Sequence, residues 1–180
     1  MKAIRSLLVS FLVLCLSTTS VVADKKHDRD CVIEREFPQE VDEVLATFGA
    51  IGESITYGAG LGSGSVYMDD LISFHGYSRK FTEFNDGRLY DGKDNEQNER
   101  TLFGEVVDEG GVIKFSAIPN TLQVAVYCGN VANLTFISDF ILKMGGNEVT
   151  INNLITLLFV KTKGEWKIVH EHHSPADLTP

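Results

Sequence analysis

Apolar residues recur at steps of three and four behind Pro38: Val41, Val44, Leu45, Phe48, Ile51 and Ile55. That spacing places them on one stripe of an amphipathic helix, and proline suits a helix's first turn. Gly49 and Gly52 weaken the pattern, so the helix is expected to end between Gly49 and Thr56. Gly58–Ser65 (GAGLGSGS) reads as a flexible connector, because it lacks the Lys-Ser/Thr pair and the strand–loop–helix setting of a phosphate cradle. Val66–Ser73 (VYMDDLIS) reads as a short helical turn running into a strand, and Tyr77–Leu89 as polar and irregular. A second helix is expected from Gly92, capped by Asp94 or Asn95, with Leu102, Phe103, Val106 and Val107 as its apolar patch and Gly110-Gly111 as its stop.

Beyond Gly111 the period changes to two. Val112–Ala117, Leu122–Tyr127, Val131–Met144, Glu148–Lys161 and Glu165–His173 are rich in β-branched and aromatic residues and predict strands. Cys128-Gly-Asn, Gly145-Gly-Asn and Thr162-Lys-Gly164 separate them as hairpin turns. In the third strand Leu134, Phe136, Ser138 and Phe140 share one face, and Thr135, Ile137, Asp139 and Ile141 the other. Helices first and an antiparallel meander after them predict an α+β fold with the helices on one sheet face.

The N-terminus carries an address. Lys2 and Arg5 precede the apolar run Leu7–Leu16, and Val21-Val22-Ala23 offers small side chains at a cleavage position. The run is shorter than the roughly 20 residues a bilayer span needs. Residues 1–23 therefore read as a signal peptide cut after Ala23, and the mature chain as secreted or periplasmic. Leu12-Val13-Leu14 before Cys15 lacks the small residue that precedes a lipidated cysteine. Residues 24–37 form a charged arm, 38–176 a single domain and 177–180 a tail. The formal charge is −9, and losing Lys2 and Arg5 with the leader makes it −11. Such a surface repels phosphate backbones and anionic headgroups, which excludes nucleic-acid binding and, after cleavage, membrane binding. Cys31 and Cys128 remain after processing, an even count in an oxidising compartment. They pair only if the arm folds back to bring their Cα atoms within about 7 Å, and the sequence leaves both states open. The sequon Asn133-Leu134-Thr135 lies inside a strand pattern, which disfavours its use.

The last strand, Gly164-Glu-Trp-Lys-Ile-Val-His-Glu-His-His-Ser174, resembles the closing strand of the nuclear transport factor 2-like (SnoaL-like) superfamily and of the calcium/calmodulin-dependent protein kinase II association domain. Tyr67-Met-Asp-Asp-Leu-Ile-Ser-Phe74 and the stretch Leu122–Ile141 resemble that superfamily's entry into its first strand and its central hairpin. The resemblance implies a cone: a strongly bent antiparallel sheet wrapped on N-terminal helices, with a pocket on the concave face and a convex face that pairs with a second copy. It implies no single function, since the fold hosts isomerases, cyclases, dehydratases and non-catalytic assembly domains.

Residue by residue, the resemblance to ketosteroid isomerases puts His75 at the general base, Thr156 where those enzymes keep a protonated acid, and Tyr57 as the available oxyanion tyrosine. A threonine donates too weakly to an enolate, so a steroid-isomerase mechanism is not expected. The association domain's arginine positions fall at Ser138, Leu157 and His173, with Glu96 at its helix histidine. Without guanidinium groups, a carboxylate ligand is not expected. Strand alternation aligns His170 and His172 with Trp166 and Ile168, and sets Val169, Glu171 and His173 opposite. A His-x-His pair can chelate zinc, but no further ligand set stands at metal spacing, so neither metal nor cofactor is expected. Three functions follow as expectations. The first is a secreted, homodimeric module holding a small neutral or apolar ligand, with Tyr57, Tyr67, Glu171 and His173 as binding residues. The second is an isomerase, cyclase or dehydratase with His75 and Asp70 as acid–base groups, supported by Glu171 and His173. The third is a purely structural oligomerisation domain.

Overall fold

The computed structural model describes Cys31 and residues 34–178; the expected signal peptide over residues 1–23 and most of the expected arm lie outside the described residues. Helix α1 (Pro38–Gly58) starts with Pro38 in its first turn and buries Val44, Ile51 and Ile55. Burying each of these side chains stabilises by about 1.5–3 kcal/mol, enough to carry the helix past its two interior glycines to Gly58, beyond the predicted end. Helix α2 (Val66–Ser73) begins at Ser65, whose hydroxyl accepts from the Met68 amide, and stays helical to its end. The strand expected after it shrinks to one parallel bridge between His75 and Ile168.

Tyr77–Leu89 is not irregular throughout. Strands β1 (Thr82–Asn85) and β2 (Arg88–Tyr90) form a hairpin whose two-residue loop, Asp86-Gly87, takes positive φ at both positions. That is the geometry an Asp-Gly pair favours. Helix α3 (Gly92–Thr101) is capped by Asp91, not Asp94 or Asn95, with the Asp91 carboxylate accepting from the Lys93 and Asp94 amides. A π-helical turn (Leu102–Val106) follows. It docks the glycine-rich segment, so that segment is not a free connector: Gly60 N–H donates to Phe103 O at 2.9 Å and Gly62 N–H to Gly104 O at 2.7 Å. A Cβ at Gly104 would stand 2.8 Å from the Gly62 carbonyl carbon and the Ser63 nitrogen, so backbone meets backbone there. Gly104→Ala is expected to destabilise the protein by about 1–3 kcal/mol, the cost of overpacking, read as a lower urea midpoint at unchanged slope.

Strands β3 (Val112–Ala117), β4 (Gln123–Tyr127), β5 (Val131–Met144), β6 (Asn147–Ile151), β7 (Asn153–Thr162) and β8 (Glu165–Pro175) complete an eight-stranded sheet. The order is β2-β1-β8-β7-β5-β3, with β4 and β6 also on β5. All pairings after Val112 are antiparallel. The β1–β8 pairing is parallel, so the sheet is mixed and not purely antiparallel. The single strand expected over Glu148–Lys161 breaks at Asn152. Buried Ser138 causes the corner: its hydroxyl donates to Ile151 O and accepts from Asn153 N–H, while Asn152 Nδ2 donates to Ser138 O. Either side of that corner, β6 follows one half of β5 and β7 the other, which curves the sheet over the helices.

Even-numbered β5 residues from Ala132 to Leu142 are buried, as the alternation predicts. They meet α1 in one core that includes Val44, Met68, Phe81, Phe159 and Trp166. Glu43 ties α1 to the sheet through Trp166 Nε1–H, 3.0 Å away, and through Lys161. Cys31 and Cys128 are joined in a disulfide with Cα atoms 4.8 Å apart, so the arm does fold back onto the β4–β5 turn. Phe37 packs there over Gly129.

Candidate functional site

Strand β8 brings ionisable groups into the cone by interrupting its own alternation. Its register against β7 passes from His170↔Leu158 to Ile168↔Phe159, which leaves Val169 as an extra residue in a β-bulge. Before the bulge Trp166 and Ile168 face the core, and after it Glu171 and His173 do. Strict alternation had set these pairs on opposite faces. His170 and His172 are turned away, edge-on to the ring of Phe84.

Ile168, Glu171 and His173 line a cavity of about 70 Å³. One water needs roughly 10–15 Å³ on this measure, so the space suits a small molecule or several waters. The wall is apolar: Phe48, Phe103, Phe115, Phe136 and Phe140, with isoleucines and leucines from α1, α2, β7 and β8. Four ionisable residues line it, namely His75, Glu99, Glu171 and His173.

His75, just beyond α2, has its protons fixed by its partners. Nδ1 stands 3.0 Å from the Leu71 carbonyl oxygen, which only accepts, so Nδ1 carries hydrogen. Nε2 stands 2.9 Å from Glu171 Oε1, so with Glu171 ionised His75 is an imidazolium donating at both nitrogens. Burial opposes that charge, but the hydrogen bond and charge of Glu171 outweigh it and raise the pKa of His75. The ring stacks on Tyr77, centroids 5.0 Å apart and planes within 7°. The other oxygen of Glu171 accepts from His173 Nε2 at 3.1 Å. Burial pushes Glu171 up, yet two imidazole donors hold it well below the usual carboxylate range. The pKa of His173 is raised: burial again opposes the charge, and Glu171 more than offsets it. The central carboxylate is thus ionised, and it favours the charged form of both imidazoles.

A polar layer lies behind. Glu83, the β1 register partner of Glu171, is fully buried and accepts from Asn95 Nδ2 at 2.8 Å and Asn85 Nδ2 at 2.9 Å. Tyr77 donates its phenol to Asn95 Oδ1 at 2.5 Å. Burial, followed by the charges of Glu99 and Glu171, pushes that phenol well above its ordinary range, so it stays a donor. Glu99, in the last turn of α3, lines the cavity with no hydrogen bond or ion pair to a described residue. Burial and then the charge of Glu171 push its carboxyl up to about 8, which favours the protonated form at neutral pH.

Of the residues singled out from sequence, His75, Glu171 and His173 come together. Asp70 is exposed on α2 and does not reach them. Tyr57 is 61% exposed beside Tyr67, rings 6.1 Å apart, in a separate surface groove along α1. Tyr67 packs against the core and does not line the cavity. Thr156 pairs with His172 on the outer sheet face, so it cannot supply an oxyanion donor. Glu96 is bonded to Arg100 at 3.0 Å, and Arg100 also holds Asp69 and the Ser63 carbonyl. The α3 residue that does face the cavity is Glu99. A three-residue step from Glu96 was the available signal for it. Among the described residues no group of three His, Cys, Asp or Glu side chains is arranged to hold a metal ion.

A family model described as a SnoaL-like domain matches residues 73–177. No curated protein matches the chain by sequence. Solved structures share the fold. A nuclear transport factor 2-like superfamily protein of Salmonella enterica Typhimurium is 16% identical, with TM-score 0.62 over 79% of this chain and 95% of its own. A candidate dehydratase of the same family from Streptomyces avermitilis is 15% identical, with TM-score 0.62 over 79% and 99%. The association domain of the C. elegans calcium/calmodulin-dependent kinase II is 13% identical, with TM-score 0.57 over 76% and 96%. At these identities the likeness establishes the α+β fold alone.

Proposed function

Since this chain belongs to the SnoaL-like family, we propose that its cone is a small-molecule site for a neutral, mainly apolar ligand, carried by a secreted, self-associating domain. One observation carries the reading: the cavity wall is aromatic and aliphatic, and the ion pairs that line it, His75 and His173 on Glu171, are engaged with one another. An apolar ligand there gains burial free energy, whereas an anion gives up its hydration to a mostly apolar wall and meets the Glu171 carboxylate. A neutral aromatic such as ethylbenzene, at a hundredfold excess over its Kd, is expected to add about 2.7 kcal/mol to stability. Thermal shift reads this directly; benzoate is expected to give none. A shift with benzoate and none with ethylbenzene contradicts the reading.

Self-association is supported by exposed apolar side chains on the outer sheet face, Tyr127 and Leu154 (49% exposed). The association domain named among the similar structures also supports it. Light scattering at micromolar concentration is expected to give a discrete multiple of the mature mass; a clean monomer rules the dimer out. The disulfide supports an oxidising address.

A second reading, proton-transfer catalysis of the isomerase or dehydratase type, is favoured by the bond between His173 and Glu171 at the cavity. His75 spends both nitrogens on Leu71 and Glu171, so it positions Glu171, and His173 is the better-placed base. Under this reading the protein accelerates exchange of a small ketone's α-protons in D2O, and His173→Gln abolishes the effect.

A further inference from the structure

Within the proposed ligand site, on which this inference rests, we propose that Glu99 is the polar anchor: it donates its carboxyl proton to the carbonyl-type oxygen of a neutral, mainly apolar ligand. The neighbouring polar groups are already engaged. Glu171 is held by two imidazoles, Glu83 by two amides, and Tyr77 by Asn95. Glu99 alone among the four ionisable cavity residues has a side chain joined to no described residue by hydrogen bond or ion pair. Glu99 is partly exposed and lines the cavity, so its carboxyl is open to a partner bound there.

Its position is rigid. Arg100, next in the chain, is bonded to Glu96, Asp69 and the Ser63 carbonyl, which anchors this turn of α3 to α2 and the glycine-rich segment. Phe103, one turn on, lines the same cavity. The groups whose charges act on Glu99 are Glu171 and His173 on β8, His75 beyond α2, and Glu83 on β1. Burial and the carboxylates among them keep the proton on Glu99. A protonated carboxyl offers one O–H donor, which a ketone, ester or lactone oxygen accepts and a hydrocarbon cannot. A second carboxylate brought into the same space is repelled by Glu171.

Three probes of nearly one shape separate the outcomes: acetophenone, ethylbenzene, which lacks only the oxygen, and benzoate. Binding to the full mature protein is measured by calorimetry at pH 6 and pH 9.5. At pH 6 acetophenone is expected to bind at least tenfold tighter than ethylbenzene, with benzoate silent. At pH 9.5 the advantage shrinks, because ionised Glu99 no longer donates. Glu99→Gln retains a non-titrating N–H donor and is expected to keep the advantage at both pH values. Any pH dependence left in that variant belongs to His75 or His173. Glu99→Ala is expected to bind both probes alike, and its retained ethylbenzene binding reports that the pocket is folded. If the native protein binds ethylbenzene and acetophenone equally, or if Glu99→Ala keeps the preference, Glu99 is not the anchor although the pocket stands. If the native protein binds none of the probes, the ligand site itself is refuted and this assignment with it.

Discussion

Glu171→Gln is expected to destabilise the protein by about 3–5 kcal/mol, the usual cost of removing one partner from a buried ion pair. The carboxylate is 4% exposed and serves two imidazoles, so its loss leaves His75 without the charge that offsets its burial. The effect carries a pH signature. Glu171 has a folded pKa below its usual 4.5, so its contribution is present above 4.5 and is lost as pH falls through the lowered value. His75 and His173 have folded pKa values above their usual 6.5, so theirs is complete below 6.5 and is lost as pH rises through the raised values. The two windows overlap between 4.5 and 6.5. Urea unfolding at a series of pH values is therefore expected to show the largest gap between native and variant proteins there, narrowing above neutrality. A gap that is flat with pH contradicts the ion-pair account.

Breaking the Cys31–Cys128 bridge is expected to have a comparable effect by a different route. Its partners stand 97 residues apart in sequence. Closing a loop of about 100 residues in the unfolded chain is worth about 4.7 kcal/mol on the chain-entropy model, with 2–4 typical of measurement. Phe37 packs over Gly129 beside the bridge, and on the chain-entropy model the loss arises in the unfolded ensemble. Cys31→Ser and thiol reduction of the native protein are expected to lower the urea midpoint equally. Coincident oxidised and reduced curves contradict this.

Much of the architecture was legible because its causes are local. The three- and four-residue steps from Val41 to Ile55 made α1, and the two-residue alternation from Leu134 to Phe140 fixed which face of β5 is buried. What escaped depends on contacts distant in sequence. The β1–β2 hairpin has no apolar alternation of its own and exists because β1 pairs with β8. Its Asp86-Gly87 loop was the overlooked local sign. The corner at Asn152 needs Ser138 from another strand. Site residues were legible as types, three histidines and a glutamate in one strand, but not as neighbours. Alternation separates Glu171 and His173 from Ile168, and only the bulge at Val169 reunites them on the cavity face. Glu99 escaped because a glutamate in a polar helix such as α3 looks like solvated surface until the fold sets it on the cavity wall.

The central claim is that an ionised Glu171 holds His75 as a doubly protonated cation beside an apolar cavity. Nitrogen-15 NMR of the imidazole rings tests it most directly. The account predicts that both His75 nitrogens are protonated at pH 6.5, with Nδ1–H slow to exchange because it is bonded to Leu71. A His75 ring that titrates below 6.5, with its two neutral tautomers interconverting above that pH, contradicts it.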